Sequence, residues 1–227
     1  MKKLLVISVG GSLISPEIDK IDYSFLQDFI DLVKKQKKQG YNFILVTGGG
    51  KTARHYISSA NKVRKLSSTE ADWVGIAATK LNASLLQILL KDLAYQDIVS
   101  CPNDKIKSSK IIVASGYKPG RSSDCMAVAL AKQYGALAVI NMSNIDYVYD
   151  KDPKKYKDAQ QQKNLTWSDF FKIIGTKWIP GKNVPFDPIA SKLAQKNKIK
   201  VVVLNGKKLN NLNKYLEGKS FRGTVIE

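Results

Sequence analysis

The residues best suited to chemistry are Gly48, Gly49, Gly50, Lys51 and Arg54, in the stretch YNFILVTGGGKTAR from Tyr41 to Arg54. Phe43 to Thr47 are apolar or β-branched, a pattern suited to a strand buried on both faces. After the glycines, Ala53, Tyr56, Ile57 and Ala60 recur at helical spacing. A strand that breaks into glycines and restarts as a helix leaves backbone N–H groups unpaired at the helix N-terminus. Together with the helix dipole and two adjacent cations, those donors suit an anion, most often a phosphate. An ordinary βα turn needs one glycine or two, rarely three. The spacing matches neither the P-loop nor the dinucleotide fingerprint.

A second group of the same kind lies at Gly120-Arg121-Ser122-Ser123, where two hydroxyls meet a helix start. The chain has only four arginines, and two of them, Arg54 and Arg121, fall beside glycine loops. Two anion pockets fit a phosphoryl donor and a phosphorylated acceptor. Phosphoryl transfer asks mainly for positioning and neutralised charge, so cations and N–H groups matter more than a nucleophile. The inventory agrees: one histidine, no Ser-His-Asp set and no cluster of metal ligands. His55, on a helix beside Arg54, reads as a packed or surface residue, and Cys125 as a small core residue. Asp72, Asp124, Asp146 and Asp152 all have ordinary uses as caps or turn formers, strongest for Asp124 and Asp152. Asp72 resists that reading because it enters a largely apolar helix beside Trp73.

These groups need elements to position them. Lys3–Val9 reads as a buried strand ended by Gly10-Gly11-Ser12, a second glycine exit. Residues 22–38 carry Leu26, Phe29, Ile30 and Val33 on one helical face, closed by Gly40. Ser67-Ser-Thr-Glu70 is a capping box for a helix to about Leu93. That helix is apolar almost all round, as in a buried or subunit-contact helix, and its Trp and Leu stripe reads as core. Short strands are expected at Asp97–Ser100 and Lys110–Ala114, then a helix carrying Met126, Leu130 and Ala131 inward and ended by Gly135. A strand at Leu137–Met142 leads into a polar, lysine-rich loop to about Leu165, and Thr166 caps a short helix. A Pro/Gly loop spans Trp178 to Phe186, and Asp187-Pro188 opens another helix. Ile199–Leu204 reads as a strand, Leu209–Leu216 as a short helix and Gly223–Ile226 as a closing edge strand. Alternating strands and helices imply an α/β fold, a three-layer, open, mostly parallel sheet with helices on both faces. In such a sheet ligands sit outside the carboxyl ends of the strands. The exits at 10–12, 48–51, 115–124 and 142–146 should therefore converge on one edge.

Composition bounds the rest. The 227 residues, 44% of them hydrophobic, fit one sizeable domain with a real core, or two small lobes sharing one sheet. The run Leu4–Val9 is too short for a signal peptide, and no stretch reads as long enough to span a membrane. Two cysteines without metal spacing fit a reduced, cytoplasmic setting. The net charge of +18 is nearly all lysine, spread through the chain. Base reading leans on arginine, so specific nucleic-acid binding is not expected.

The motifs together resemble the amino acid kinase superfamily. They are the strand before Gly10-Gly11-Ser12, then Gly48-Gly49-Gly50-Lys51-x-x-Arg54, Gly120-x-Ser-Ser-Asp124 and Asn144-x-Asp146-x-x-Tyr149-x-x-Asp152-Pro153. With Asp187-Pro-Ile-Ala-x-Lys192 and Gly223-Thr-Val-Ile, their order is most similar to the archaeal type of uridylate kinase, over essentially the whole chain. The resemblance implies a single domain, 1–227, with an acceptor-binding part at about 1–135 and an ATP-binding part at about 136–227. It implies transfer from ATP with Mg2+ to UMP, in a hexamer built as a trimer of dimers. Gly10, Gly11, Gly50 and Arg54 would face the ATP phosphates, and Ser143, Asn144, Tyr149 and Asp152 the adenine and ribose. Gly49, Asp72 and the run Gly116, Tyr117, Lys118, Pro119, Gly120, Arg121 and Ser122 would face UMP. The chain departs from the pattern at Ser8, where much of the superfamily has lysine. It departs again in the acceptor loop, with Tyr117, Lys118 and Arg121, and at Tyr147, where glycine is usual. With Ser8 in place, Lys51 and Arg54 are the expected catalytic cations, and Lys182 a third candidate. No protein-held metal site is expected. Other readings on this fold are a kinase for a carboxylate, carbamate or isopentenyl phosphate, or a non-catalytic protein that stores or senses an anion.

Overall fold

The computed structural model describes residues 3–176 and 184–227. Lys182, and most of the expected loop from Trp178 to Phe186, lie outside the described residues. The centre is a seven-stranded sheet, ordered β3-β2-β1-β4-β8-β9-β7. Its members are β1 (Lys3–Val9), β2 (Tyr41–Thr47), β3 (Ile112–Ala114), β4 (Val139–Ser143), β7 (Asn164–Leu165), β8 (Val201–Asn205) and β9 (Thr224–Ile226). Strands β5 (Val148–Tyr149) and β6 (Gln161–Gln162) form a small antiparallel pair of their own. All sheet pairings are parallel except that of β8 with β9.

Alternation along the strands builds the layers. On β1, Leu5, Ile7 and Val9 face one core with α1 (Gly11–Ile14), α2 (Tyr23–Lys38), α4 (Ser68–Leu90) and α8 (Leu209–Leu216). Val6 faces the other, with α5 (Ser123–Tyr134), α6 (Trp167–Ile174) and α7 (Pro188–Lys196). The expected three-layer arrangement is thus present. Local signals set the helix starts: Asp22 accepts from the Phe25 N–H, and Ser67 and Glu70 form the capping box. Thr166 accepts from Asp169 N–H, and Asp187 from Ile189 and Ala190 with proline at N1. Gly135 ends α5 in the left-handed conformation, φ +62°.

Six expectations need correction. The segment Asp97–Ser100 is not a strand; only Val99 bridges, to Ala114. Strand β4 begins at Val139, and Leu137 is 61% exposed. Strand β9 is not an edge: β7, from the segment read as loop, pairs outside it and takes the edge. Helix α4 ends at Leu90, and a 3-10 turn, Lys91–Leu93, completes the segment. Contrary to expectation, Ser68–Leu93 is long and apolar enough to cross a membrane. Its stripe is only partly core: Ala83, Leu86 and Leu90 are buried, but Trp73, Leu81 and Ile88 are 53%, 62% and 68% exposed.

What positions the site is register. Strands β1 and β2 pair from Lys3–Tyr41 to Val9–Thr47, so both glycine exits leave the sheet at one level. The chain runs from β1 to β2 on one side, and β4 packs on the other, where the connections reverse direction. Ligands of open α/β sheets gather at such a point.

Candidate functional site

The two glycine turns interlock, backbone against backbone. The Gly48 N–H donates to the Val9 carbonyl at 3.0 Å, and the Gly10 N–H to the Met142 carbonyl at 3.2 Å. A Cβ at Gly11 would run into the Gly50 amide nitrogen, and one at Gly50 into the Gly11 carbonyl. Gly50 also has φ +64°, so α3 (Gly50–Val63) starts from a backbone that only glycine adopts cheaply. The Asn82 side chain, buried in α4, donates to the Gly48 carbonyl at 2.8 Å and fixes the turn from behind. The exits at 10–12, 48–51 and 142 therefore meet, as expected.

Beside them lies a cleft of about 280 Å³ between α3, α4 and the start of α5. Of the expected residues, Gly49, Gly50, Arg54, Asp72, Gly116, Arg121 and Ser122 line it. Ser123, the second hydroxyl of the expected anion pocket, lines it as well, and so do Ala71, Gly75, Ile76 and Thr79, which were not singled out. The helical spacing of 72, 75, 76 and 79 was the available signal. Arg54 and Arg121 thus line one cavity, although 67 positions separate them in sequence. Lys51 is exposed and not part of the lining, and His55 is a surface residue. Tyr117, Lys118, Pro119 and Gly120 form the outer arm of the loop. The Lys118 ammonium lies over the Tyr117 ring at 5.6 Å, and burial pushes the Tyr117 phenol up while Arg121 pulls it down.

At the floor the structure adds residues that sequence reasoning missed. Asp124 was expected to serve as a cap or turn former. Instead Ser122 caps α5, accepting from the Cys125 N–H at 3.3 Å. The Asp124 carboxylate accepts from the Ser8 hydroxyl at 3.1 Å and from the Asp187 N–H at 3.3 Å. Part of the residue stays accessible, but protein packs densely around its carboxyl. That burial, and then the neighbouring charge of Asp187, pushes Asp124 up to about 6. The Cys125 thiol is pushed to about 12 by burial and by Asp187, so it is inert, as expected.

Ser143, the last residue of β4, and Asn144, Tyr149 and Asp152, beyond it, are not among the residues that line the cleft. Ser143 accepts at its carbonyl from the Gly206 N–H at 2.8 Å, and Tyr149 pairs with Gln161. Asp152 accepts from the Lys154 N–H at 3.0 Å, the turn-forming role expected of it. This side is tied down by Lys208, whose ammonium donates to Asp146 at 2.6 Å and holds that carboxyl low.

The fold and the paired glycine turns define a class, three-layer α/β proteins that gather anions at the switch point of a parallel sheet. The chain belongs to the amino acid kinase family, whose profile matches residues 3–205. It is 37% identical to a uridylate kinase of Thermoplasma volcanium, over all of this chain and 99% of that protein. It is 35% identical to one of Sulfolobus acidocaldarius, over 98% of each. Among solved structures, the uridylate kinase from Archaeoglobus fulgidus superposes with a TM-score of 0.80 at 32% identity, covering 98% of this chain and 99% of that one.

Proposed function

We propose that this protein is a uridylate kinase: an oxygen of the UMP phosphate attacks the γ-phosphorus of ATP, the bond to the bridging oxygen breaks, and UDP and ADP leave. The observation that carries the reading is the cleft itself, where two arginines and Asp72 converge beside a glycine-built phosphate turn, in a chain similar over its whole length to uridylate kinases. In this reading Gly10, Gly11, Gly50 and Arg54 take the ATP phosphates, and Ser143, Asn144, Tyr149 and Asp152 the adenosine. Gly49, Asp72 and residues 116–122 take UMP. Residues 1–135 then serve mainly the acceptor, and 136–227 mainly ATP.

No base is required, because an acceptor phosphate oxygen is largely ionised near neutral pH. The barrier falls through charge compensation, for which Arg54 is better placed than Lys51 because it enters the cleft. Mg2+ would come with the ATP phosphates. That suits a site with few carboxylates, since Mg2+ is commonly held by phosphates, water and one or two carboxylates. Among the described residues no three His, Cys, Asp or Glu side chains gather to hold a metal.

We infer a homo-oligomer, for which a hexamer is the expected form. The exposed Trp73, Leu81 and Ile88 on α4 support it, being spaced along one helix whose other face packs the core. A cytoplasmic setting goes with the unpaired thiols of Cys101 and Cys125. The test is ADP release with UMP, CMP and isopentenyl phosphate as acceptors. Turnover with UMP well above the others is expected. Preference for isopentenyl phosphate, or ATP binding without turnover, would replace this reading by another kinase or by a storage protein.

A further inference from the structure

We propose that Asp72 is a positioning residue that latches the acceptor loop, residues 116–122, onto α4 before any acceptor arrives. The substrate in the kinetic arm below rests on the uridylate kinase reading; the latch itself does not. Two side chains of one helix hold the loop. Thr79 Oγ1 accepts from the Gly116 N–H at 2.9 Å while donating to the Ile76 carbonyl at 2.7 Å. Asp72 Oδ2 accepts from the Gly120 N–H at 2.7 Å. Positions 72 and 79 are two helical turns apart on one face, about 10 Å along the axis. The loop bridges those anchors in the four steps from Gly116 to Gly120.

Gly120 has φ +74°, a conformation that glycine adopts without strain. Arg121 follows at once and lines the cleft, and Ser122 then caps α5. A shift of the Gly120 backbone would therefore carry Arg121 with it. A carboxylate offers about four acceptor positions. The latch uses one and leaves others for a ribose, so Asp72 can set the loop and contact the acceptor together. A residue that only read ribose would matter only for acceptors with a 2′-hydroxyl, whereas a latch matters for UMP and dUMP alike.

Amide hydrogen exchange on the ligand-free protein tests the latch directly. Asp72→Ala should speed exchange across 116–122 by roughly tenfold, whereas Asp72→Asn, whose carbonyl oxygen still accepts, should stay within about threefold of the parent. Gly120→Ala, strained at this φ with Asp72 intact, should release the same segment. Exchange in β1 and β2 reports whether each variant keeps its fold. In kinetics, Asp72→Ala should raise the KM for dUMP as well as for UMP, the rise for UMP being larger by whatever the ribose contact adds, with kcat changed less, and Asp72→Asn should recover most of the loss. Unaltered exchange at 116–122 in folded Asp72→Ala overturns the latch, and so does a KM rise confined to UMP. If the parent enzyme phosphorylates neither nucleotide, the substrate reading falls while the exchange result still decides the latch.

Discussion

The side of the sheet proposed for the acceptor and the side proposed for ATP are built differently. The acceptor cleft is walled by two long helices and by a loop tied to α4 through Thr79 and Asp72, over a floor of interlocked glycine turns. Across β1, Ser143, Asn144, Tyr149 and Asp152 lie along a chain held by a two-residue strand pair, an Asx turn at Asp152, a hydrogen bond from the Gln160 N–H to Asp150 and two ion pairs, Lys208–Asp146 and Lys151–Asp158. A site walled by helices pays its ordering entropy during folding, whereas a site on exposed turns pays much of it on binding. Acceptor affinity should therefore depend on individual cations in a fixed cavity, and ATP affinity on how well its loop is anchored.

The strongest challenge to that contrast is Arg54→Met. Arg54 leaves the glycine turn on α3 and lines the cleft, and in the proposed reading it meets the ATP phosphates there. A cation acting on the transferred group should show its loss in kcat, by roughly 100- to 1,000-fold, with ATP affinity little changed. Lys51→Met should lose much less, and His55→Gln almost nothing. Steady-state kinetics at saturating Mg2+ checks all three. A normal Arg54→Met beside a dead His55→Gln would end the electrostatic account.

Asp124 tests whether the shared floor is built for function at some expense of stability. Its carboxyl is raised from 3.8 to about 6 in the fold. The folded state therefore holds this proton more tightly, and stability falls as pH rises from about 4 through about 6, after which the penalty is constant. The shift corresponds to a cost of about 3 kcal/mol at neutral pH. Asp124→Asn should recover part of that at pH 8 and none at pH 4, less whatever the amide loses as an acceptor from Ser8 or Asp187. Urea denaturation at both pH values measures it, and turnover should fall. A stability gain equal at both pH values would place the effect elsewhere.

These two residues also show what the sequence could and could not disclose. The glycine exits, the capping box and the Asp187-Pro188 start are local signals, and each appears where the pattern puts it. Arg54 and Arg121 stood out because arginine is rare in this chain. The pairing of Asp124 with Ser8 and Asp187 spans 116 and 63 positions and has no local signature, so Asp124 read as a turn former. Strand β9 read as an edge for a similar reason, since two-residue β7 is too short to declare a period. Trp73 read as core because an apolar helix does not state which of its faces the fold covers.

On the acceptor side alone, Arg121→Ala should raise the KM for UMP about ten- to a hundredfold and that for ATP far less. That is the expected size for a lost charged hydrogen bond to phosphate. Equal rises for both nucleotides would move Arg121 between the substrates and weaken the division into two sides.

The smallest effect belongs to the ATP side. Lys208 sits at the start of α8, just beyond the end of β8, and reaches back to Asp146 in the loop that leaves β4. Their side chains are 45% and 30% exposed. Water and salt screen such a pair, so Lys208→Met should cost under about 1 kcal/mol of stability. Yet the pair spans from the β8 exit to the segment that carries Ser143, Asn144 and Tyr149, and its release frees that segment. The KM for ATP should therefore rise roughly two- to fivefold, while that for UMP stays put, because the acceptor loop is anchored on α4 instead. High salt should raise the parent's KM for ATP in the same direction, and Lys208→Met should respond less to salt than the parent does. If the KM for UMP rises equally, the two sides are not independently anchored, and the β4 exit belongs to the acceptor site as much as to the ATP site.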